Sequence, residues 1–232
     1  MRIHYIIHAP FEGLGAIHHW ITKHNYKSSG THTYRGEKLP DASEFDMLII
    51  MGGPQSPLKL DKYPYLRDEI ALAQKAIQHN LPVLGICLGA QIIGESLGAK
   101  TEQSPNKEVG VYPVDMTNEA ETDPLFKLFP KQFDVMHWHN DMPGMADGCV
   151  LLARSAGCPR QAFRYGDRVY GYQFHLEMTP ENVNEMVKHC REDLKPSQYV
   201  QPADELAQIN LMPINQKLEM TLDYLASFVT NK

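Results

Sequence analysis

Residues 83–91 read Val-Leu-Gly-Ile-Cys-Leu-Gly-Ala-Gln, and this string constrains the fold more than any other. The apolar run from Leu81 to Ile86 is unbroken, stops at Cys87, and is followed by a helix-compatible stretch from Gln91 to Leu97. Unbroken rather than alternating apolarity marks a strand covered on both faces, the situation of parallel sheets flanked by helices. Two earlier segments share the rhythm. Arg2 to His8 leads into Leu14, Ile17, Trp20 and Ile21 on one helical face, and Phe45 to Met51 ends at Gly52-Gly53-Pro54 before Leu66, Ile70, Ala73 and Ile77. From about Thr101 the pattern changes to longer loops and hairpin signals: Gln161 to Tyr165, a Gly166-Asp167 turn, then Arg168 to Phe174. The expected fold class is therefore α/β, an open, mostly parallel sheet with helices on both faces and added antiparallel edge strands.

Two further signals shape the C-terminal part. Thr179-Pro180 has the form of an N-cap followed by proline at the first helical position, launching a helix over Glu181 to Cys190. Pro196 to Pro213 reads as a tether or lid, and Ile214, Leu218, Leu222, Leu225 and Phe228 form a last amphipathic helix. Residues 1–195 are expected to form the α/β domain, with residues 196–232 as a tether and helix packing on it.

The balance of 22 basic against 28 acidic side chains, a net charge of -6, gives no footprint for a phosphate backbone, so no nucleic-acid partner is expected. No run approaches the roughly 18 apolar residues that span a bilayer, and the N-terminus lacks a signal-peptide pattern, so the expected location is the cytoplasm, with no membrane association. In a reducing compartment Cys87, Cys149, Cys158 and Cys190 have no reason to form disulfides.

The chemistry is expected at Cys87. A cysteine at a sharp strand-to-helix turn, with glycine two places either side, is the thiol form of a nucleophile elbow. The helix N-terminus and a nearby imidazolium favour the thiolate. A small buried cysteine between packing glycines is the plainer alternative. The coincidence of strand, glycine pair and helix favours the nucleophile. Gly171 to Glu177 offers its partners: on a strand, residues i and i+2 share a face, so His175 and Glu177 can lie side by side. The carboxylate would orient the imidazole, which would take up and return a proton. Gly52-Gly53-Pro54-Gln55-Ser56 should lie at the same carboxyl edge of the sheet, where open α/β folds bind ligands. Its peptide N–H groups, with that of Leu88, could form an oxyanion hole.

In family order and with family-like separations, Gly52-Gly53-Pro54-Gln55-Ser56, Gly85-Ile86-Cys87-Leu88-Gly89-Ala90-Gln91 and Gln173-Phe174-His175-Leu176-Glu177 resemble the class I glutamine amidotransferases, especially the glutaminase domain of GMP synthetase and its stand-alone relatives. The resemblance covers roughly Phe45 to Glu181 and implies a flavodoxin-like sheet. It implies a triad of Cys87, His175 and Glu177 and an oxyanion hole from the backbone of Gly53 and Leu88. It also implies glutamine-holding roles for Gln91 and for the loop around Val109 and Gly110. Trp138-His139-Asn140-Asp141 resembles the family's Ser-His-Gly-Asp stretch near the glutamine pocket, with Trp138 and Asn140 departing from it, so His139 and Asp141 are candidate binding residues. Leu176 replaces the commoner proline of His-Pro-Glu.

Other readings carry less. His137, His139 and Asp141 could hold zinc if alternate strand residues face one way, but the thiol site already accounts for the region, and no metal or cofactor is expected. His4, His8, His18 and His19 read as surface or core histidines. Glu12-Gly13-Leu14-Gly15 lacks the third glycine of a dinucleotide loop, His18 standing there.

The leading expectation is thiol-dependent hydrolysis of a γ-glutamyl amide, with glutamine as substrate and no cofactor. No ATP-using signature is visible, so either a separate ammonia-accepting synthetase subunit consumes the ammonia or the enzyme acts alone. One alternative is a γ-glutamyl peptidase acting on γ-glutamyl peptides or glutathione conjugates, with Tyr199 to Met212 shaping a broader mouth over Cys87. Another is a non-catalytic or redox-sensing relative, since fold alone never fixes activity.

Overall fold

Strand and helix alternate along residues 1–230, which the computed structural model describes. In chain order these are β1 (Arg2–Ile7), α1 (Ala16–Lys23), β2 (Lys27–His32), β3 (Met47–Ile50), α2 (Leu66–Gln78), β4 (Val83–Ile86), α3 (Leu88–Ser96), β5 (Glu102–Met116), β6 (Gln132–Met142), β7 (Cys149–Arg154), β8 (Ala162–Tyr165), β9 (Val169–Tyr172), α4 (Pro180–His189), α5 (Ala203–Leu206) and α6 (Met212–Thr230). The strands form one sheet in the order β2-β1-β3-β4-β9-β8-β7-β5-β6. The first five run parallel, and the remaining pairings are antiparallel.

β3 and β4 are apolar throughout, and β1 nearly so, because each face meets a different layer. Ile3, Ile7, Met47, Ile49, Leu84 and Ile86 pack with Ile17, Trp20 and Ile21 of α1 and Leu218, Leu222 and Leu225 of α6. Ile6, Leu48, Ile50 and Val83 point the other way, onto Leu66, Leu72, Ala73 and Ala76 of α2 and Ile92 and Ile93 of α3. Alternate residues thus feed opposite cores, each buried leucine or isoleucine stabilising by about 1.5–3 kcal/mol before conformational entropy is counted. Trp20 also donates from Nε1 to Asp223 Oδ1 at 2.8 Å, tying α1 to α6.

At the end of β4 the chain turns within one residue. Cys87 sits at φ 52°, a left-handed backbone that costs a side-chain-bearing residue about 1–3 kcal/mol. Its N–H donates to the Tyr172 carbonyl at 2.7 Å, and its own carbonyl accepts from Ala90 N at 3.0 Å, opening α3. The flanking glycines make the turn sterically feasible: a Cβ on Gly85 would strike the Gly89 carbonyl, and one on Gly89 would strike the Ile50 carbonyl. Thr179 caps α4 with Pro180 in the first turn, as the sequence predicts, and Asn182 completes a capping box.

Three features go beyond the sequence reading. The edge strand β2 is Lys-Ser-Ser-Gly-Thr-His, with no apolar period to announce it; it is held by its ladder to β1. The region after Thr101 is dominated by the long β5–β6 hairpin, whose register shifts between Gln103 and Glu108. Within the segment from Pro196 to Pro213, which also holds α5, Tyr199 to Gln201 runs against β5: Val109 N donates to Tyr199 O and Gln201 N to Val109 O, both at 2.8 Å. Gln201 Oε1 then accepts from Val111 N at 2.7 Å. Among the described residues no helix is long and apolar enough to cross a membrane.

Candidate active site

β4 ends at Cys87, β3 ends just before Gly52, and the chain leaving β9 continues through Gln173 to Glu177, so these segments share the carboxyl edge of the parallel half. His175 is fixed from its backbone: its N–H donates to Met136 O at 2.7 Å, an isolated bridge to β6. Its Nδ1 lies 2.6 Å from Glu177 Oε1, and both residues are buried. Leu176 between them turns into the core, which meets the i, i+2 expectation. The Glu177 carbonyl accepts from Ala16 N at 2.8 Å, so the first turn of α1 holds this loop in place.

Burial works against an imidazolium at His175. The adjacent Glu177 carboxylate and the Cys87 sulfur outweigh it, and the pKa is raised well above the ordinary histidine value. Nε2 makes no hydrogen bond of ordinary length, although Cys87 is among the groups acting on the ring. Such loosely engaged nucleophile–base pairs are common in unliganded sites. The Cys87 thiol donates to the Trp138 carbonyl at 3.6 Å and accepts from Gln173 Nε2 at 3.4 Å. Gln173 Oε1 in turn accepts from Gln91 Nε2 at 3.1 Å.

The Gly52–Gly53 peptide is oriented by His8. Its Nδ1 donates to the Gly52 carbonyl at 2.9 Å, and its Nε2 meets Glu69 Oε2 at 2.7 Å, with both side chains fully buried. Burial opposes the imidazolium, but Glu69 prevails and the His8 pKa is raised. In a trans peptide the carbonyl and the following N–H point in opposite directions, so holding Gly52 O turns Gly53 N–H away from His8. Neither Gly53 N–H nor Leu88 N–H donates a hydrogen bond among the described residues. The two residues are in contact range, since a Cβ on Gly53 would lie 3.0 Å from Leu88 Cδ2.

A cavity of about 460 Å³ opens over Cys87, within the size range of small-molecule sites. Gly53, Gln91, Val109, His139, Asp141 and His175 line it with Cys87, whereas Leu88, Gly110 and Glu177 do not. Gly110 is occupied elsewhere: its φ is 124°, and a Cβ there would run into Gln201. The Val109 N–H and carbonyl are taken by Tyr199 and Gln201, leaving only its side chain to face the cavity. No residue from Tyr199 to Met212 lines it, so the expected mouth over Cys87 is formed instead by Met186, Cys190 and Asp193, in and after α4.

The zinc reading needs a different carboxylate. Asp141 accepts from Ser56 Oγ at 2.5 Å, while Glu108 joins His137 and His139, their ligand atoms within 4.8 Å of one another. Register explains this, because Glu108 stands opposite His139 in the β5–β6 ladder. The space between them holds the Gln161 amide nitrogen, 2.6 Å from Glu108 Oε2, 3.3 Å from His137 Nδ1 and 3.2 Å from His139 Nε2. Burial drives the His137 pKa down to about 3, keeping that ring neutral. The cluster is a hydrogen-bond network around the Gln161 amide nitrogen, with His139 at the cavity wall and His139 Nδ1 and Gln161 Oε1 without a hydrogen-bond partner among the described residues.

Sequence reasoning overlooked His8, Glu12 and Gln173. Gln173 was accessible, since the two-residue period linking His175 and Glu177 extends back to it. Glu12, lining the cavity, lies in the loop just after β1, at the same sheet edge as Gly52. His8, treated as a plain core or surface histidine, gains meaning only once α2 places Glu69 beside it.

The profile of the family described as "Glutamine amidotransferase class-I" matches residues 7–192. The chain is 43% identical over 232 residues to "Putative glutamine amidotransferase-like protein YfeJ" of Salmonella typhimurium, covering 97% of each. It is 35% identical over 156 residues to "GMP synthase [glutamine-hydrolyzing]" of Thermosipho africanus, a match spanning 63% of this chain and 28% of that protein. Its fold superimposes on the crystal structure of a glutamine amidotransferase from Thermotoga maritima with a TM-score of 0.86 at 25% identity, covering 100% of this chain and 99% of the other.

Proposed function

The chain belongs to the class-I glutamine amidotransferase family, and on that premise we propose that it hydrolyses γ-glutamyl amides through a thioester on Cys87, with glutamine as a substrate. The observation that carries this reading is the convergence of Cys87, at positive φ on a helix N-terminus, with the His175–Glu177 pair at 2.6 Å and two undonated backbone N–H groups.

The proton shared by Cys87 and His175 rests on His175, whose raised pKa holds the imidazolium through neutral pH, and the sulfur attacks the side-chain amide carbon as the thiolate. The carbonyl oxygen becomes an oxyanion between Gly53 N–H and Leu88 N–H, donors worth a few kcal/mol each to a transition state. Collapse breaks the C–N bond, and His175 gives its proton to the departing nitrogen. Water, deprotonated by the now neutral His175, then attacks the thioester carbonyl. The C–S bond breaks, releasing glutamate and restoring the thiolate beside the imidazolium that water has just reprotonated. Glu177 stabilises the imidazolium and holds its tautomer without touching substrate. Gln91, His139 and Asp141 are proposed to hold the glutamyl backbone, with Val109 contributing only its side chain.

Steady-state assay of L-glutamine should give ammonia and glutamate in equal amounts. Glu177→Gln should reduce kcat/KM, yet by about 10²-fold less than His175→Ala, since it removes an orienting group and not the proton carrier. Because Glu177 raises the His175 pKa, the alkaline limb of the rate profile should move to lower pH in Glu177→Gln. An unshifted limb would remove Glu177 from this role.

A further inference from the structure

Glu12 has no part in the steps just described, yet it faces the reacting groups. A methyl group on Gly52 would lie 2.7 Å from Glu12 Oε2, 3.1 Å from His175 Cε1 and 3.5 Å from Cys87 Cβ, so the three side chains border one point. The Glu12 carboxylate makes no hydrogen bond and no ion pair among the described residues, although it lines the cavity. Neither lysine of the same cavity pairs with Glu12 among the described residues: Lys107 is tied to Asp193 at 2.7 Å, and Lys59 sits in the turn begun by Ser56. A carboxyl group so placed is open to the cavity and available to a bound molecule.

The side of the site it occupies indicates which part of that molecule it meets. His175 must reach the departing nitrogen to protonate it, so the leaving group lies against His175, and Glu12 borders the same ring. We propose that Glu12 selects the leaving group: it attracts amines with neutral or cationic tails and repels those that carry a carboxylate. The substrates are then γ-glutamyl amides of ammonia and of uncharged or cationic amines, and γ-glutamyl peptides ending in a free carboxylate are rejected. This inference rests on the γ-glutamyl amidase reading above and settles the leaving group that the triad alone leaves open.

Burial raises the Glu12 pKa to about 7, opposed by His175 and His8 and reinforced by Glu177. The selecting charge therefore develops as pH rises through that value and is lost below it. Cys87, His8, His175, Glu177 and Cys190 surround Glu12, and their own titrations act on every substrate alike. A ratio between substrates cancels them.

The test uses three amides with one acyl group, γ-glutamyl joined to ethylenediamine, to glycinamide or to glycine, assayed beside L-glutamine in the wild-type chain and in Glu12→Gln. At about pH 8 the wild type should prefer the glycinamide over the glycine compound by at least about tenfold in kcat/KM, with the ethylenediamine compound at least equal to the glycinamide. The preference should shrink at about pH 6, and Glu12→Gln should flatten it at both. Equal wild-type turnover of the glycine and glycinamide compounds overturns the inference alone, as does a preference that survives Glu12→Gln or a uniform loss on all substrates. Failure to turn over any compound, L-glutamine included, overturns the inference together with the amidase reading.

Discussion

Cys87→Ala should lower kcat/KM for glutamine by at least about 10⁴-fold and leave the fold intact. The size follows from the role: a group that acts as one unit with its base and oxyanion donors takes nearly all covalent catalysis with it when removed. The fold should survive because the side chain is small and the turn is secured by backbone contacts, the Cys87 N–H to Tyr172 O and the Ala90 N–H to Cys87 O. Cys87→Gly sharpens the case. It removes the sulfur and also relieves the φ of 52°, so it should be as inactive as the alanine variant and more stable by about 1 kcal/mol. Thermal melting read beside kcat/KM checks both. Retained turnover in either variant would move the nucleophile elsewhere.

His175→Ala should come next, with a loss of about 10³–10⁴-fold. Without the ring, nothing takes the thiol proton and nothing protonates the departing nitrogen. The pH profile carries a second readout. The His175 pKa is raised, because Glu177 and the Cys87 sulfur outweigh burial, so the acid form persists upward through neutral pH and is lost as pH rises past the folded value. Wild-type rates should fall on the alkaline side for that reason, and His175→Ala should lack this fall. A variant that keeps the wild-type alkaline limb would assign that proton to another group.

How much of this was legible in the sequence depends on what made each residue informative. The parallel half showed itself because β1, β3 and β4 are buried on both faces and are mostly apolar, His4 being the buried exception. The elbow showed itself because only glycine fits at residues 85 and 89. His175 and Glu177 followed from strand alternation, which survives beyond the end of β9. Strand β2 stayed hidden because an edge strand of serine, glycine and threonine is held by its backbone ladder. The partners of a side chain across the sheet were equally hidden: Glu69 for His8 comes from α2, and Glu108 for His139 depends on the β5–β6 register. The strap from Pro196 to Pro213 was recognisable as a segment without secondary pattern. Its docking partner, the free edge of β5 at Val109, was not, because that edge exists only after the hairpin has formed.

The account turns on a covalent γ-glutamyl group at a single sulfur. Turnover of L-glutamine quenched with acid, followed by intact-mass measurement and peptide mapping, reads that group directly. The predicted result is the mass of one γ-glutamyl acyl group on the peptide containing Cys87, absent from Cys87→Ala and accumulating in any variant slowed in thioester hydrolysis. Turnover without such an adduct, or an adduct on Cys149, Cys158 or Cys190 instead, would contradict it.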